Sequence, residues 1–224
     1  MNMFRILLAV VALGAAAPAV AGIVEPFDGG MRADWSQGIG AADPYGLVAP
    51  DGGAAWALSD ATWAYNSVIS FSPGHTLSAW FNPTVPTGGT GGRVNLGFGA
   101  DASGAYSFYA SSDTTLPSTG IGFQNNAGYG GTDLSAAAFS FQDQWYELTI
   151  DWAANGVLTG ELLDSNGTTV LASLAGPTLT GLPTGIALQG FGGVDVADIS
   201  VPEPASLSLL VGGILALRAA RRRA

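Results

Sequence analysis

The chain has 224 residues, with 17 Asp and Glu against 7 basic residues, all of them arginine, one histidine and no cysteine. The missing cysteine excludes disulfides, thiol catalysis and thiolate metal sites, and the missing lysine excludes Schiff-base chemistry. A formal net charge of -10 sets the chain against nucleic acid and anionic lipid surfaces.

In chain order, Met1 to Arg5 is a short charged start, Ile6 to Ala17 is apolar, and Ala19-Val20-Ala21 is a small-x-small cleavage site before Gly22. This pattern predicts a secretory signal peptide over 1–21. Residues 22–200 then form one cargo domain, long enough to enclose its own core. Leaving out Arg5, the four arginines of the tail and Glu203, it keeps 16 acids against Arg32 and Arg93, a net of 14 negative charges.

The 33 glycines, the polar turns and the absence of any sustained 3.6-residue apolar period predict an all-β domain. The expected strands are Thr76 to Asn82, Arg93 to Gly99, Ala105 to Ala110, Thr119 to Gln124, Trp145 to Trp152, Val157 to Asp164, Thr168 to Leu174, Gly185 to Phe191 and Val194 to Val201. Many short strands with glycine-rich turns make a sandwich or a barrel. Thr87 to Gly92 and Asn125 to Thr132 read as loops.

Two Asn-Gly turns fix a register between Trp145 and Leu174. A three-residue loop Ala154-Asn155-Gly156 with Gly156 left-handed sets Trp152 against Leu158, Ile150 against Gly160 and Leu148 against Leu162. Asp151 then meets Thr159, and Thr149 meets Glu161, on the other face. A second loop of the same kind, Ser165-Asn166-Gly167, would pair Leu162 with Val170, Gly160 with Ala172 and Leu158 with Leu174. Both loops choose the same inner face, which a slip of one residue would reverse.

Gln144-Trp145-Tyr146-Glu147-Leu148, the two glycine-turned strands after it, Gly185-Ile186-Ala187-Leu188 and Asp198-Ile199-Ser200-Val201 resemble the concanavalin A-like lectin and laminin G superfamily. Phe27, Asp34-Trp35 and the strand Leu77 to Phe81 fit its first strands. The resemblance implies a two-sheet antiparallel jelly-roll sandwich, and many such domains bind glycans, often with calcium. The superfamily's glucanases carry Glu-x-Asp-x-Glu on one strand. Here Glu147-Leu148-Thr149-Ile150-Asp151 puts Thr149 in the central place and Asp151 in the last, so no intact catalytic motif is present. A retaining pair needs carboxyls roughly 5 to 5.5 Å apart, whereas the two backbones here lie roughly 13 Å apart along a strand.

On this register Trp145, Glu147, Asp151 and Glu161 share an outer face, a candidate site for a glycan or for a cation such as calcium. The plainer reading is a loop-covered strand-end tryptophan beside solvated acids. No cofactor is required. His75, in Ser72-Pro73-Gly74-His75-Thr76, reads as a turn residue, and Asp164-Ser165-Asn166-Gly167-Thr168 as a hairpin turn that lacks the bidentate glutamate of a calcium loop.

The tail, 201–224, runs Val201-Pro202-Glu203-Pro204, an apolar stretch from Ala205 to Leu217, Arg218, then Arg221, Arg222 and Arg223. Thirteen apolar residues reach roughly 20 Å as a helix, a marginal anchor whose arginines would stay in the cytoplasm. The order of motif, apolar helix and arginine cluster closely resembles the PEP-CTERM sorting signal of Gram-negative bacteria. That resemblance makes Pro202, Glu203 and Pro204 the sorting motif and exosortase, a membrane-embedded transpeptidase, the partner that reads it. The expectation is an exported component of the cell surface or exopolysaccharide matrix, glycan-binding or structural, with transient membrane insertion of the tail. The alternative is a secreted glycan-active enzyme on the same fold.

Overall fold

The computed structural model describes residues 23–25, 34–37, 42–43, 48–58, 62–83, 91–113, 119–192 and 194–201. The expected signal peptide, Phe27 and Arg32, and the sorting motif with its tail lie outside them. All regular structure among the described residues is β, in two antiparallel sheets.

Strands are numbered along the chain. The first sheet runs β13 (Val170–Thr178), β12 (Val157–Leu163), β11 (Tyr146–Trp152), β6 (His75–Asn82), β15 (Val194–Ser200), β4 (Trp56–Leu58) and β3 (Ala42–Asp43), with β1 (Ile23–Glu25) also paired to β15. The second runs β10 (Thr132–Ala137), β9 (Gly120–Ala127), β8 (Gly104–Ser111), β7 (Arg93–Asp101), β14 (Gly185–Phe191), β5 (Thr62–Asn66) and β2 (Ser36–Gln37). This is the expected two-sheet jelly-roll sandwich.

The core is the alternate residues of both inner faces. Leu77 and Phe81 of β6, Leu148, Ile150 and Trp152 of β11 and Leu158 and Leu162 of β12 meet Leu96 and Phe98 of β7, Phe108 of β8, Phe123 of β9 and Leu188 of β14. Each such side chain, fully buried, contributes about 1.5–3 kcal/mol. Phe71 closes one end, its ring 6.0 Å from that of Phe98 and 5.5 Å from that of Trp152.

The first hairpin has the register expected of it: Trp152 opposes Leu158, Ile150 opposes Gly160, and Thr149 opposes Glu161, with Gly156 left-handed at φ 86°. The second differs. Leu162 opposes Ala172 and Gly160 opposes Leu174, two residues further along than expected. The turn is wider, closed by Asp164 N–H donating to the Thr169 carbonyl at 3.0 Å, and Leu171 is the extra residue where the pairing steps from Leu162–Ala172 to Leu163–Val170. A shift of two keeps the same inner face, so Ala172 and Leu174 still pack on the core.

Two further differences bear on function. Of the expected loop Asn125 to Thr132, the first three residues continue β9, and Thr132 opens β10, leaving a tight turn at 128–131. β5, unforeseen in the sequence, places Trp63 and Tyr65 beside β14.

Candidate functional site

The outer face of the second sheet is polar, yet much of it is buried. One row crosses five strands in register: Trp63, Gln189, Asn95, Tyr109 and Gly122. Arg93 stands one step along β7, with Ser107, Gln124 and Asn126 on β8 and β9. Arg93, Asn95, Ser107, Gln124, Asn126 and Gln189 are all buried. On an ordinary solvated sheet face these positions would be open to water. Here Tyr129, from the β9–β10 turn, packs back over Ala105 and Ala187.

Burial of so many polar groups is tolerated because they bond one another in a relay. Arg93 Nε donates to Asn95 Oδ1 at 3.1 Å, and Asn95 Nδ2 donates to Gln189 Oε1 at 3.0 Å. Gln189 Nε2 donates to the Tyr129 carbonyl at 2.9 Å, and Asn126 Nδ2 donates to Ser107 Oγ at 3.0 Å. Gln124 Nε2 donates to Asp133 Oδ1 at 2.6 Å. The Arg93 guanidinium lies 3.8 Å above the Tyr109 ring. Burial pushes Arg93 below the ordinary arginine range, opposed by Tyr109, Asp133 and Asp113; arginine stays charged regardless.

A cleft of about 220 Å³ opens over this relay, lined by Arg93, Asn95, Asp113, Gln124, Gln189 and Phe191 among others. It is smaller than the roughly 300–1,000 Å³ of ordinary small-molecule pockets, suiting something the size of one sugar ring. Two buried atoms of the relay keep unspent hydrogen-bonding capacity, the donor Arg93 Nη2 and the acceptor Asn126 Oδ1. The lining sets side-chain amides and a guanidinium beside one apolar ring, Phe191. Its two charged residues, Arg93 and Asp113, are of opposite sign.

The residues singled out in the sequence lie elsewhere, on the outer face of the first sheet. Glu147, Asp151 and Glu161 stand at the expected register positions. Trp145, with Trp80, packs against Ala49, Ala55 and Ala197, so residues of the 48–55 segment lie against it. Burial pushes the Glu147 carboxyl up, with a bond from Ser78 pulling the other way. Asp151 is exposed and accepts from Thr76 Oγ1 at 3.4 Å. Among the described residues no group of three or more His, Cys, Asp or Glu is placed to hold a metal ion, this trio included.

His75 sits where the turn enters β6, its N–H donating to the Ser72 carbonyl at 3.2 Å. Asp164 to Thr168 is a hairpin turn: Asp164 Oδ1 accepts from the N–H of Asn166 and of Thr169, each at 3.3 Å, and Gly167 has φ 66°.

No protein-family model and no curated relative matches the sequence. Among solved structures, galectin-Ib of Xenopus laevis is similar at 20% identity, over 59% of this chain and 94% of that one, with a TM-score of 0.43. The carbohydrate-binding module CBM66 from Bacillus subtilis is similar at 15% identity, over 75% and 91%, with a TM-score of 0.48. The legume lectin-like domain from Entamoeba histolytica is similar at 10% identity, over 66% and 84%, with a TM-score of 0.48. These likenesses concern backbone architecture alone.

Proposed function

We propose that the domain is a glycan-binding module whose site is the cleft over Arg93, Asn95 and Gln189, and that it binds rather than transforms its ligand. The observation that carries this reading is the hydrogen-bonded relay of buried amides and guanidinium beneath a ring-sized cleft. Sugar hydroxyls are recognised by fixed, paired donors and acceptors, and a relay locked before the ligand arrives loses little entropy on binding. Asp113 and Asp133 facing Arg93, on a strongly acidic domain, favour a neutral saccharide over a uronate or sulfated one. Glu147 and Asp151, the two acids of the segment that resembles the glucanase motif, lie on the opposite sheet with Thr149 between them, which favours binding over hydrolysis. The alternative reading, a glycan-active enzyme, would need a carboxylate pair at the cleft. Asp113 and Asp133 are engaged around Arg93 instead.

Export and sorting complete the proposal. The Met1 to Ala21 signal and the Pro202-Glu203-Pro204 motif with its apolar and arginine segments support secretion and processing by exosortase. Such a route would deliver the module to the cell surface or an exopolysaccharide matrix. The binding reading is tested by following the side-chain amide signals of Asn95, Gln124, Asn126 and Gln189 by NMR while neutral oligosaccharides are added. Movement of these signals supports it, and a ligand that moves other residues but not these places the site elsewhere.

A further inference from the structure

The turn between β9 and β10 contains a residue that local physics disfavours. Its sequence is Ala127-Gly128-Tyr129-Gly130-Gly131, and Tyr129 has φ 59°, left-handed like Gly128 before it at φ 62°. A side chain in this region is strained, and glycine, which fills the neighbouring places, would adopt it freely. Strain of this kind persists only where surrounding contacts impose it.

Those contacts are specific. The Tyr129 ring lies flat on Trp63, centroids 3.9 Å apart and planes 9° apart. Its hydroxyl donates to the Asp101 carbonyl at 2.9 Å, and its own carbonyl accepts from Gln189 Nε2 at 2.9 Å. Tyr129 is 8% exposed and packs on Ala100, Ala105 and Ala187. Trp63 is directly opposite Gln189, which is directly opposite Asn95. The stacked pair therefore adjoins the cleft along one row, about 10 Å from Asn95 at two strand spacings. A near-parallel, face-on seat against an indole is the geometry that the C–H face of a pyranose also takes. A cleft sized for one ring makes the seat of Tyr129 the place where the next ring of a bound chain would lie.

We propose that Tyr129 is a built-in occupant of a second saccharide subsite on the face of Trp63, displaced when a ligand of two or more sugar rings binds. The proposal rests on the glycan-binding reading of the cleft. The glycines at 128, 130 and 131 allow the turn to swing out. Release of Tyr129 relieves its backbone strain, bares the Trp63 face and frees Gln189 Nε2 for a ligand hydroxyl. A single ring in the cleft leaves Tyr129 in place, so the turn lowers affinity for oligosaccharides and leaves monosaccharide binding unaffected.

The test is a glycan array of neutral mono- to tetrasaccharides on the secreted protein, followed by calorimetry with the best disaccharide and its component monosaccharide. Tyr129→Gly is expected to bind the disaccharide about three- to tenfold more tightly than wild type, with monosaccharide affinity unchanged. Trp63→Ala added to Tyr129→Gly is expected to remove that gain. Tyr129→Phe, which keeps the stack and loses only the bond to Asp101, gives a smaller gain and serves if the glycine variant does not fold. Disaccharide binding by the wild type that the Tyr129 variants leave unchanged or weaken overturns the displaced-occupant idea and leaves the glycan reading standing. If no saccharide binds to wild type or variants, both fall together.

Discussion

Gly160→Ala adds one methyl group at a point where the sandwich has no room for it. Gly160 is on the inner face of β12, and a Cβ placed there would lie 2.6 Å from Cδ2 of Phe108. Phe108 is fully buried, and its ring centroid is 4.8 Å from that of Phe123, so it cannot retreat without moving a second core ring. Overpacking of this kind costs about 1–3 kcal/mol, while replacing a glycine by alanine returns about 0.4–1 kcal/mol through the unfolded chain. The net expectation is a loss of roughly 1–2 kcal/mol, or about 2–8 °C in Tm for a domain of this size. Thr159→Ala, at the neighbouring position facing outward beside Asp151, should stay within about 0.5 kcal/mol of wild type. Thermal and urea unfolding of residues 22–201 for the three proteins decides the matter. A Gly160→Ala variant as stable as wild type would refute the packing argument.

Glu147→Gln should stabilise the domain at neutral pH, with the advantage shrinking as pH falls. Because burial raises the folded-state pKa of Glu147, its contribution is most favourable below the unfolded value of 4.5 and is lost as pH rises through the folded value. Equal unfolding midpoints for the two proteins at pH 7, or an advantage that grows in acid, would show that this carboxyl is not desolvated as described. In a host with active exosortase, intact-mass analysis should find mature protein lacking residues 1–21 and most of the chain beyond Pro204, and Glu203→Ala should leave it in the membrane fraction. Recovery of mature wild-type protein that still carries Arg221 to Arg223 would remove the sorting hypothesis.

The sandwich and the register of one hairpin were legible in the sequence because period-two alternation and Asn-Gly turns are local signals. Glu147 to Leu163 gave its pairing in full, since the three-residue loop needs one left-handed residue and Gly156 supplies it. The second hairpin shifted by two because Asp164 draws the Asn166 and Thr169 amides into a wider turn, which the spacing of Asn166-Gly167 does not reveal. The cleft was not legible. Its row joins Trp63, Asn95, Tyr109 and Gln189, residues from four strands whose adjacency depends on β14 sitting between β5 and β7. One signal was available: Arg93 and Asn95 alternate with Val94 and Leu96 on a strand buried along nearly its whole length, so polar residues there need partners. The alternation of β11 and β12 instead points to Glu147, Asp151 and Glu161 on one outer face, with Trp145, whose ring packs against a neighbouring segment.

The central claim, that the face carrying Arg93, Asn95 and Gln189 is the glycan site, is tested most directly by an NMR titration that observes both outer faces at once. Neutral oligosaccharide is added to labelled domain while the side-chain amides of Asn95, Gln124, Asn126 and Gln189 are followed beside the indole N–H of Trp145 and the backbone amides of Glu147, Asp151 and Glu161. Saturable shifts are expected in the first group, with the second group still. Saturable shifts confined to the second group would contradict it.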